Sequence, residues 1–292
     1  MTDMSGLTLP IVNVVANTLP EGWEQAVLRT WREGAQIATQ YDKEGDPLSR
    51  DAIAVIVVRN PFAEPRIHKA IPCGLVELEM YRLEVVDGIH DHWVNPEAGK
   101  WEYTYHERLF AYTAPKIHRS QESEWVTLEP IDQIDYVVRA LCEAPHTRRA
   151  QAIIWKPWED AGISDPACLQ RTWFRIFGNE LVMNIHIRSN DAFKAAFMNM
   201  YGFTDLQRVV AEQVSERLGR EIHVGQYTHF ADSFHIYGSY FDEFKRFLET
   251  LEKRSFEERT YRTDEVSDIL DEAREQIARS LEEEKRTGRK GL

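Results

Sequence analysis

The 292 residues offer length for one large α/β domain or two small ones. Lys plus Arg number 35 against 48 for Asp plus Glu, a net charge of −13. This balance excludes a nucleic acid polymer as partner, because such binding draws on clustered cations. A local basic pocket for a small anion stays open. With 43% apolar and 28% charged residues, the composition is that of an ordinary globule and excludes disorder throughout.

In chain order, residues 1–10 lack the basic stretch and apolar run of a secretory signal. Glu21 to Gln40 reads as a helix, with Trp23, Val27, Trp31 and Ile37 near helical spacing. Residues 41–50 form a polar loop containing Gly and Pro, and Ala52 to Val58 is a β-branched run read as a buried strand. Gly74 to Val86 is a further element, Gln133 to Cys142 a short amphipathic helix and Ala150 to Trp155 another strand. Thr172–Phe177 and Glu180–Arg188, joined by Gly178-Asn179, predict a β-hairpin. Its second strand alternates Leu181, Met183, Ile185 and Ile187 with Val182, Asn184, His186 and Arg188. A helix follows over Phe203 to Leu218 with Gly219 as its stop, and another spans 240–252.

The charged stretch Asp264 to Lys285 carries an apolar stripe and reads as a docked surface helix, with Arg286 to Leu292 frayed. Strands, helices and the hairpin together predict an α/β (α+β) fold, one mixed twisted sheet packed with helices. The expected organisation is a catalytic domain over 1–262 and a charged C-terminal helix and tail over 263–292. No window approaches eighteen consecutive apolar residues. The three cysteines, Cys73, Cys142 and Cys168, make no disulfide framework, so a reducing, cytoplasmic setting is expected.

The chemistry-bearing stretches are His146-Thr147-Arg148-Arg149, Asp165-Pro166-Ala167-Cys168, and Arg188-Ser189-Asn190-Asp191 followed by Asn199, with His235-Ile236-Tyr237 downstream. Taken alone, Cys168 is either a packed thiol or a nucleophile whose pKa is depressed by nearby arginines. Arg148-Arg149 alone is a solvated pair. Arg188 beside Ser189 at a strand end offers a guanidinium fork and a hydroxyl suited to phosphate. Asn199 either pairs with a ligand or caps a helix beginning near Tyr201.

The order of these stretches resembles the thymidylate synthase family, including its nucleotide hydroxymethylases, and is nearer the archaeal and phage branches. The resemblance is best from Ile131 to Phe247. It implies that Cys168 attacks C6 of a pyrimidine nucleoside monophosphate, with 5,10-methylenetetrahydrofolate as cosubstrate. It further implies that Arg50, Arg148, Arg149 and Arg188, with Ser189, hold the phosphate, and that Arg148 and Arg149 reach across a homodimer interface. Asn199 then meets the base edge, and His235 and Tyr237 hold the sugar 3′-hydroxyl. Glu77 resembles the family glutamate that organises proton transfers, with partial burial expected to raise its pKa. Tyr105 matches a tyrosine near the nucleophile, and Asp191 an aspartate at the pterin ring. Trp101, or alternatively Trp93, covers the folate. No metal is implied.

The sequence departs from the family at Ala167 and Leu169 around Cys168, at Ile187, and at Ser233-Phe234 before His235. The Gly-rich cofactor loop is Lys194-Ala195-Ala196-Phe197, and a charged helix stands where the family has a short apolar tail. The implied activity is methylation of dUMP to dTMP. The alternatives are hydroxymethylation at C5 of dUMP, dCMP or CMP, and a non-catalytic nucleotide-binding relic.

Overall fold

The computed structural model describes residues 8–114, 117–119 and 124–288. Its strands are β1 (Ile11–Ala16), β2 (Ala35–Ile37), β3 (Ser49–Val58), β4 (Ile67–His68), β5 (Ile117–Arg119), β6 (Glu124–Val126), β7 (Gln151–Ile153), β8 (Leu169–Phe177), β9 (Glu180–Ile187), β10 (Asn190–Asp191), β11 (His223–Ile236) and β12 (Thr260–Tyr261). Its α-helices are α1 (Leu19–Glu33), α2 (Leu75–Asp87), α3 (Tyr105–Phe110), α4 (Gln133–Glu143), α5 (Pro157–Asp160), α6 (Ala196–Leu218), α7 (Phe241–Lys253) and α8 (Thr263–Thr287).

The main sheet runs β1-β3-β11-β9-β8-β7, with β2 on β3 and β10 on β11. It is mixed: β1 pairs with β3 and β9 with β11 in parallel, whereas β3–β11 and β8–β9 are antiparallel. One face is largely apolar, with Val12, Val14, Ala54, Ile56, Met183, Ile185 and Phe174 buried against helices and Thr172 and His229 buried among them. The core lies there. Helices α1, α4 and α6 cover that face, α2 packs on α6, and α8 packs on α2. The α8 stripe that docks is Val266, Leu270, Ala273 and Ile277. No described helix is long and apolar enough to cross a membrane.

The hairpin, α2, α4 and α7 stand close to where the sequence put them. Three elements differ. The first helix ends at Glu33 instead of Gln40, because residues 35–37 pair with β3 as a strand. Gly34 makes that turn possible; a Cβ there would stand 2.4 Å from the Thr30 carbonyl oxygen. Strand β3 begins at Ser49, within the expected loop, because β2 and β11 flank its polar start on both sides. Helix α6 begins at Ala196, seven residues earlier than expected. Its first turns are buried nearly all round (Phe197, Met200, Tyr201, Phe203), so no amphipathic stripe marked them. Of the residues expected to fray, Arg286 and Thr287 are still helical, and 289–292 lie outside the described residues.

Strand β11 carries an irregularity that matters for the site. Its register on β3 runs Ala231 to Ala54 and then Phe234 to Ala52, so one extra residue sits between them. Such a bulge re-aims the side chains beyond it.

Candidate active site

A cleft of about 630 Å³ opens at the ends of β8, β9 and β11 and the N-terminus of α6. Its walls include Cys168, Arg188, Ser189, Asp191, Asn199, His235 and Tyr237 on one side. Tyr81, Glu84, Trp101, Tyr103 and Tyr105 stand on the other.

Cys168 precedes β8 on a loop whose backbone is held from several directions. Arg188 donates to the carbonyls of Ala167 (3.1 Å) and Pro166 (2.5 Å), and its own N–H reaches the Cys168 carbonyl at 2.9 Å. Gln170 donates to the Ala167 and Cys168 carbonyls. The Tyr105 hydroxyl accepts from the Leu169 N–H at 3.3 Å. Behind the loop, Asp160 accepts from the Ala167 N–H at 2.9 Å and the Lys156 N–H at 2.6 Å. It also takes Arg108 at 2.6 Å, and both charged partners are 2% exposed or less. Burial works to raise the Asp160 pKa; the backbone donors and Arg108 outweigh it and hold the carboxyl below its ordinary value. The Cys168 loop therefore rests on a fully desolvated ion pair.

The Cys168 thiol does not have the depressed pKa expected from its arginines. Burial pushes it up, Arg188 pulls it down and Asp165 pushes it up again, for a net rise. Only one of the expected arginines stands at the cleft. Arg148 and Arg149 are exposed and line a separate groove beside α4 with Tyr136 and His146. Arg50 lies over Trp31 and donates to the Gly34 carbonyl at 3.4 Å, outside the cleft wall.

The β11 bulge serves His235. It is 5% exposed, its Nδ1 stands 3.1 Å from the Ser233 hydroxyl, and Ser233 in turn donates to Asp51. Burial lowers its pKa to about 4, so the ring is neutral at physiological pH. Its buried Nε2 has no hydrogen-bond partner among the described residues. Tyr237 packs edge-on to it at 4.6 Å, its pKa raised to about 12 by burial. Asp191 accepts from the N–H groups of Phe193 and Lys194, yet burial still lifts its pKa to about 6.

Asn199 lies inside α6, beyond its cap at Ala195, so the capping role is overturned. Its Oδ1 accepts a hydrogen bond from the Tyr81 hydroxyl. Glu77 is a correction as well: it is exposed on the first turn of α2 and outside the cleft. Consecutive helical residues point about 100° apart, so burial of neighbouring Leu78 does not enclose it. One and two turns further on, Tyr81 and Glu84 face the cleft instead. The sequence held no signal for either, because α2 has no strong apolar stripe. Trp93, the alternative to Trp101, is buried behind the wall: it stacks on His90 at 3.7 Å and donates to Glu284 of α8 at 2.5 Å. Trp101 packs edge-on against it and lines the cleft.

The donor set suits a phosphorylated sugar and a planar base: a guanidinium and a hydroxyl, a neutral imidazole with a free ring nitrogen, an amide, and a thiol. Comparison with known proteins points the same way. A family model described as thymidylate synthase matches residues 80–283. A Methanocaldococcus jannaschii protein named "Putative thymidylate synthase" is 26% identical over 225 residues, covering 75% of this chain and 88% of its own. A protein of the same name from Methanosarcina acetivorans is 27% identical over 222 residues, covering 76% and 88%. The solved thermostable thymidylate synthase A from Bacillus subtilis shares the fold, with a TM-score of 0.57 at 20% identity over 80% of this chain and 84% of that one. With more than half of its length matched by the family model, the chain belongs to the thymidylate synthase family.

Proposed function

We propose that this protein methylates dUMP to dTMP, taking the one-carbon unit from 5,10-methylenetetrahydrofolate. The observation that carries the reading is the convergence of Cys168, Arg188, Ser189, Asn199, His235 and Tyr237 on one cleft. In this reading the Cys168 thiolate attacks C6 of the base, forming an S–C bond and sending the electron pair to C5. C5 then takes the one-carbon unit, loses its proton, and the thiolate leaves. Methylenetetrahydrofolate supplies that carbon and, for methylation, the hydride.

Arg188 and Ser189 hold the phosphate. The free Nε2 of His235 and the Tyr237 hydroxyl take a sugar hydroxyl. Because burial and Asp165 raise the Cys168 pKa, the thiolate forms when a further cation, such as an arginine of a partner subunit, joins Arg188 beside it. Glu84, which also contacts His90 at 2.9 Å, replaces Glu77 as the carboxylate at the base. Tyr105 steadies the nucleophile loop, and Asp191 and Trp101 form the folate side. The charged C-terminal segment over 263–292, whose helix spans Thr263–Thr287, is read as a unit distinct from the catalytic body at 1–262.

Arg148 and Arg149 require a second subunit, because their groove lies apart from the cleft. The uncovered sheet face supports a homodimer: Ile11, Val15, Ile153 and Phe177 are 62%, 50%, 45% and 57% exposed on it. An isologous dimer would bury that apolar surface.

Hydroxymethylation of dUMP, dCMP or CMP is the second reading. The polar rim of Glu84, Lys100, Glu102 and Asp165 favours it by admitting water to C5. Mass spectrometry of products from dUMP, dCMP, UMP and CMP with methylenetetrahydrofolate separates the two. A 14-dalton gain (one CH2, about) on dUMP is expected. A gain of about 30 daltons assigns hydroxymethylation. In parallel, 5-fluoro-dUMP with the folate should label the Cys168 peptide, and Cys168→Ala should abolish turnover. An active alanine variant, or an adduct on Cys73 or Cys142, overturns the proposal.

A further inference from the structure

Tyr81 lies on α2 and Asn199 on α6, 118 positions apart, and their side chains meet at the cleft wall. Both hold positions set by packing, since α2 lies along α6 and Gly202 admits the Tyr81 ring; a Cβ there would stand 3.2 Å from it. The Tyr81 hydroxyl donates to Asn199 Oδ1, and among the described residues it has no other hydrogen bond.

From this contact we infer that Tyr81 is a positioning residue that locks the Asn199 amide in one orientation and thereby selects a 4-oxo over a 4-amino pyrimidine. The inference rests on the reading of the cleft as a nucleotide site. An amide has two faces of opposite character, and turning it over exchanges donor for acceptor at nearly no steric cost. With the phenol proton pointing at Oδ1, the Nδ2 amino group is what remains to be offered outward. A 4-oxo base answers it with an acceptor at position 4 and gives its N3–H to the second lone pair of Oδ1. A 4-amino base presents a donor at position 4 and a bare N3, and matches only the turned amide. Turning the amide strands the phenol proton once the base has excluded water from the wall, because among the described residues Asn199 Oδ1 is the acceptor the Tyr81 hydroxyl meets and no other hydrogen bond is formed by it. Burial, with Glu84, Tyr103 and Cys168 nearby, raises the Tyr81 pKa well above 10, so the phenol keeps its proton as a donor.

The test is equilibrium binding of dUMP and dCMP, by calorimetry, to the full-length protein and its Tyr81→Phe, Asn199→Ala and doubly substituted forms. Wild type should favour dUMP. Tyr81→Phe should lower the dUMP-to-dCMP affinity ratio by about 10- to 100-fold, the span expected for a lost buried hydrogen bond. In the Asn199→Ala background the same substitution should leave the ratio unchanged, since the lock acts through the amide. A Tyr81→Phe protein with the wild-type ratio overturns the inference, and so does an undiminished effect without Asn199. Wild type that binds neither nucleotide overturns the one-carbon reading itself, and this inference with it. Should Tyr81→Phe not fold, Asn199→Asp carries the test. Its carboxylate takes the phenol proton on one oxygen and offers only an acceptor outward, so preference should move towards dCMP; an unchanged ratio overturns the lock.

Discussion

The two walls of the cleft are built differently. On the Cys168 side every functional group hangs on a strand end or a long helix: β8, β9, β11 and α6. On the other side, past Glu84, the chain passes through short 3-10 turns at Asp91–Trp93 and Pro96–Ala98 before α3. The first wall is fixed by sheet register and backbone hydrogen bonds. The second is fixed by side chains: His90 on Trp93, Trp93 on Trp101, His106 with Asp91, and Glu284 reaching in from α8. Residues on regular elements inherit their geometry from the fold, whereas the second wall depends on a few pairwise contacts. Damage should therefore be global on the first wall and local on the second.

The strongest way to break that contrast is Asp160→Ala. It removes the buried carboxylate that pairs with Arg108, leaving only the half-exposed Glu159 at 3.2 Å, and frees the Ala167 N–H, so it should cost about 3–5 kcal/mol in urea unfolding. Turnover should fall too, because the loop carrying Cys168 loses its anchor. A loss under about 1 kcal/mol would mean the first wall is no more rigid than the second.

Asp191→Asn sharpens the contrast through pH. The folded pKa of about 6 lies above the usual carboxylate range, so the folded state holds the proton more tightly than the unfolded chain. Its contribution is intact below about pH 4 and is lost as pH rises through 6. The asparagine variant lacks this loss. Its stability relative to wild type should grow between pH 4 and 7, by an amount on the order of 2–3 kcal/mol. His235 works in the opposite sense in both proteins: its depressed pKa destabilises the fold as pH falls from 6.5 towards 4. Melting curves across that range, compared between the two proteins, cancel the histidine and isolate Asp191.

On the second wall, Glu284→Ala should cost about 1.5–3 kcal/mol, as expected for a hydrogen bond to a charged partner. The KM for the folate should rise with that for the nucleotide unchanged. A rise in both would show that α8 supports the whole cleft. The smallest effect belongs to Glu77→Gln, which should change stability by less than about 0.5 kcal/mol and leave turnover alone, as for an ordinary surface change.

The same contrast explains what the sequence made legible. Cys168, Arg188, Ser189 and Asp191 sit in short contiguous stretches, and the alternation in β9 announced the hairpin that aims Arg188. Asn199 was legible as a residue but not as a place, because a helix buried on every side has no period to read. Tyr81 and Glu84 were missed: which face of α2 meets the cleft is decided by α6, which lies far along the chain. Asp160 and Arg108 were missed for a similar reason, since their pairing spans 52 positions and neither residue touches the cleft. The separation of Arg148 and Arg149 from Arg188 could not be read from a chain in which all three merely flank strands.

The bulge in β11 bears on how this protein can change. Before it, Tyr227, His229 and Ala231 face the core; after it, Phe234 and Ile236 do. The strand thus switches parity over Asp232 and Ser233, and His235 reaches the cleft only because of that switch. Straightening the strand without removing a residue would turn His235 inward and Phe234 outward together, exchanging the imidazole at the cleft for a phenyl group and a core phenyl for an imidazole. Removing either Asp232 or Ser233 instead takes out the extra residue and leaves both side chains on their present faces, because Ala231 and Phe234 then stand two places apart, as Ala54 and Ala52 do opposite them. The strand can therefore lose a residue at this one point and keep His235 at the cleft.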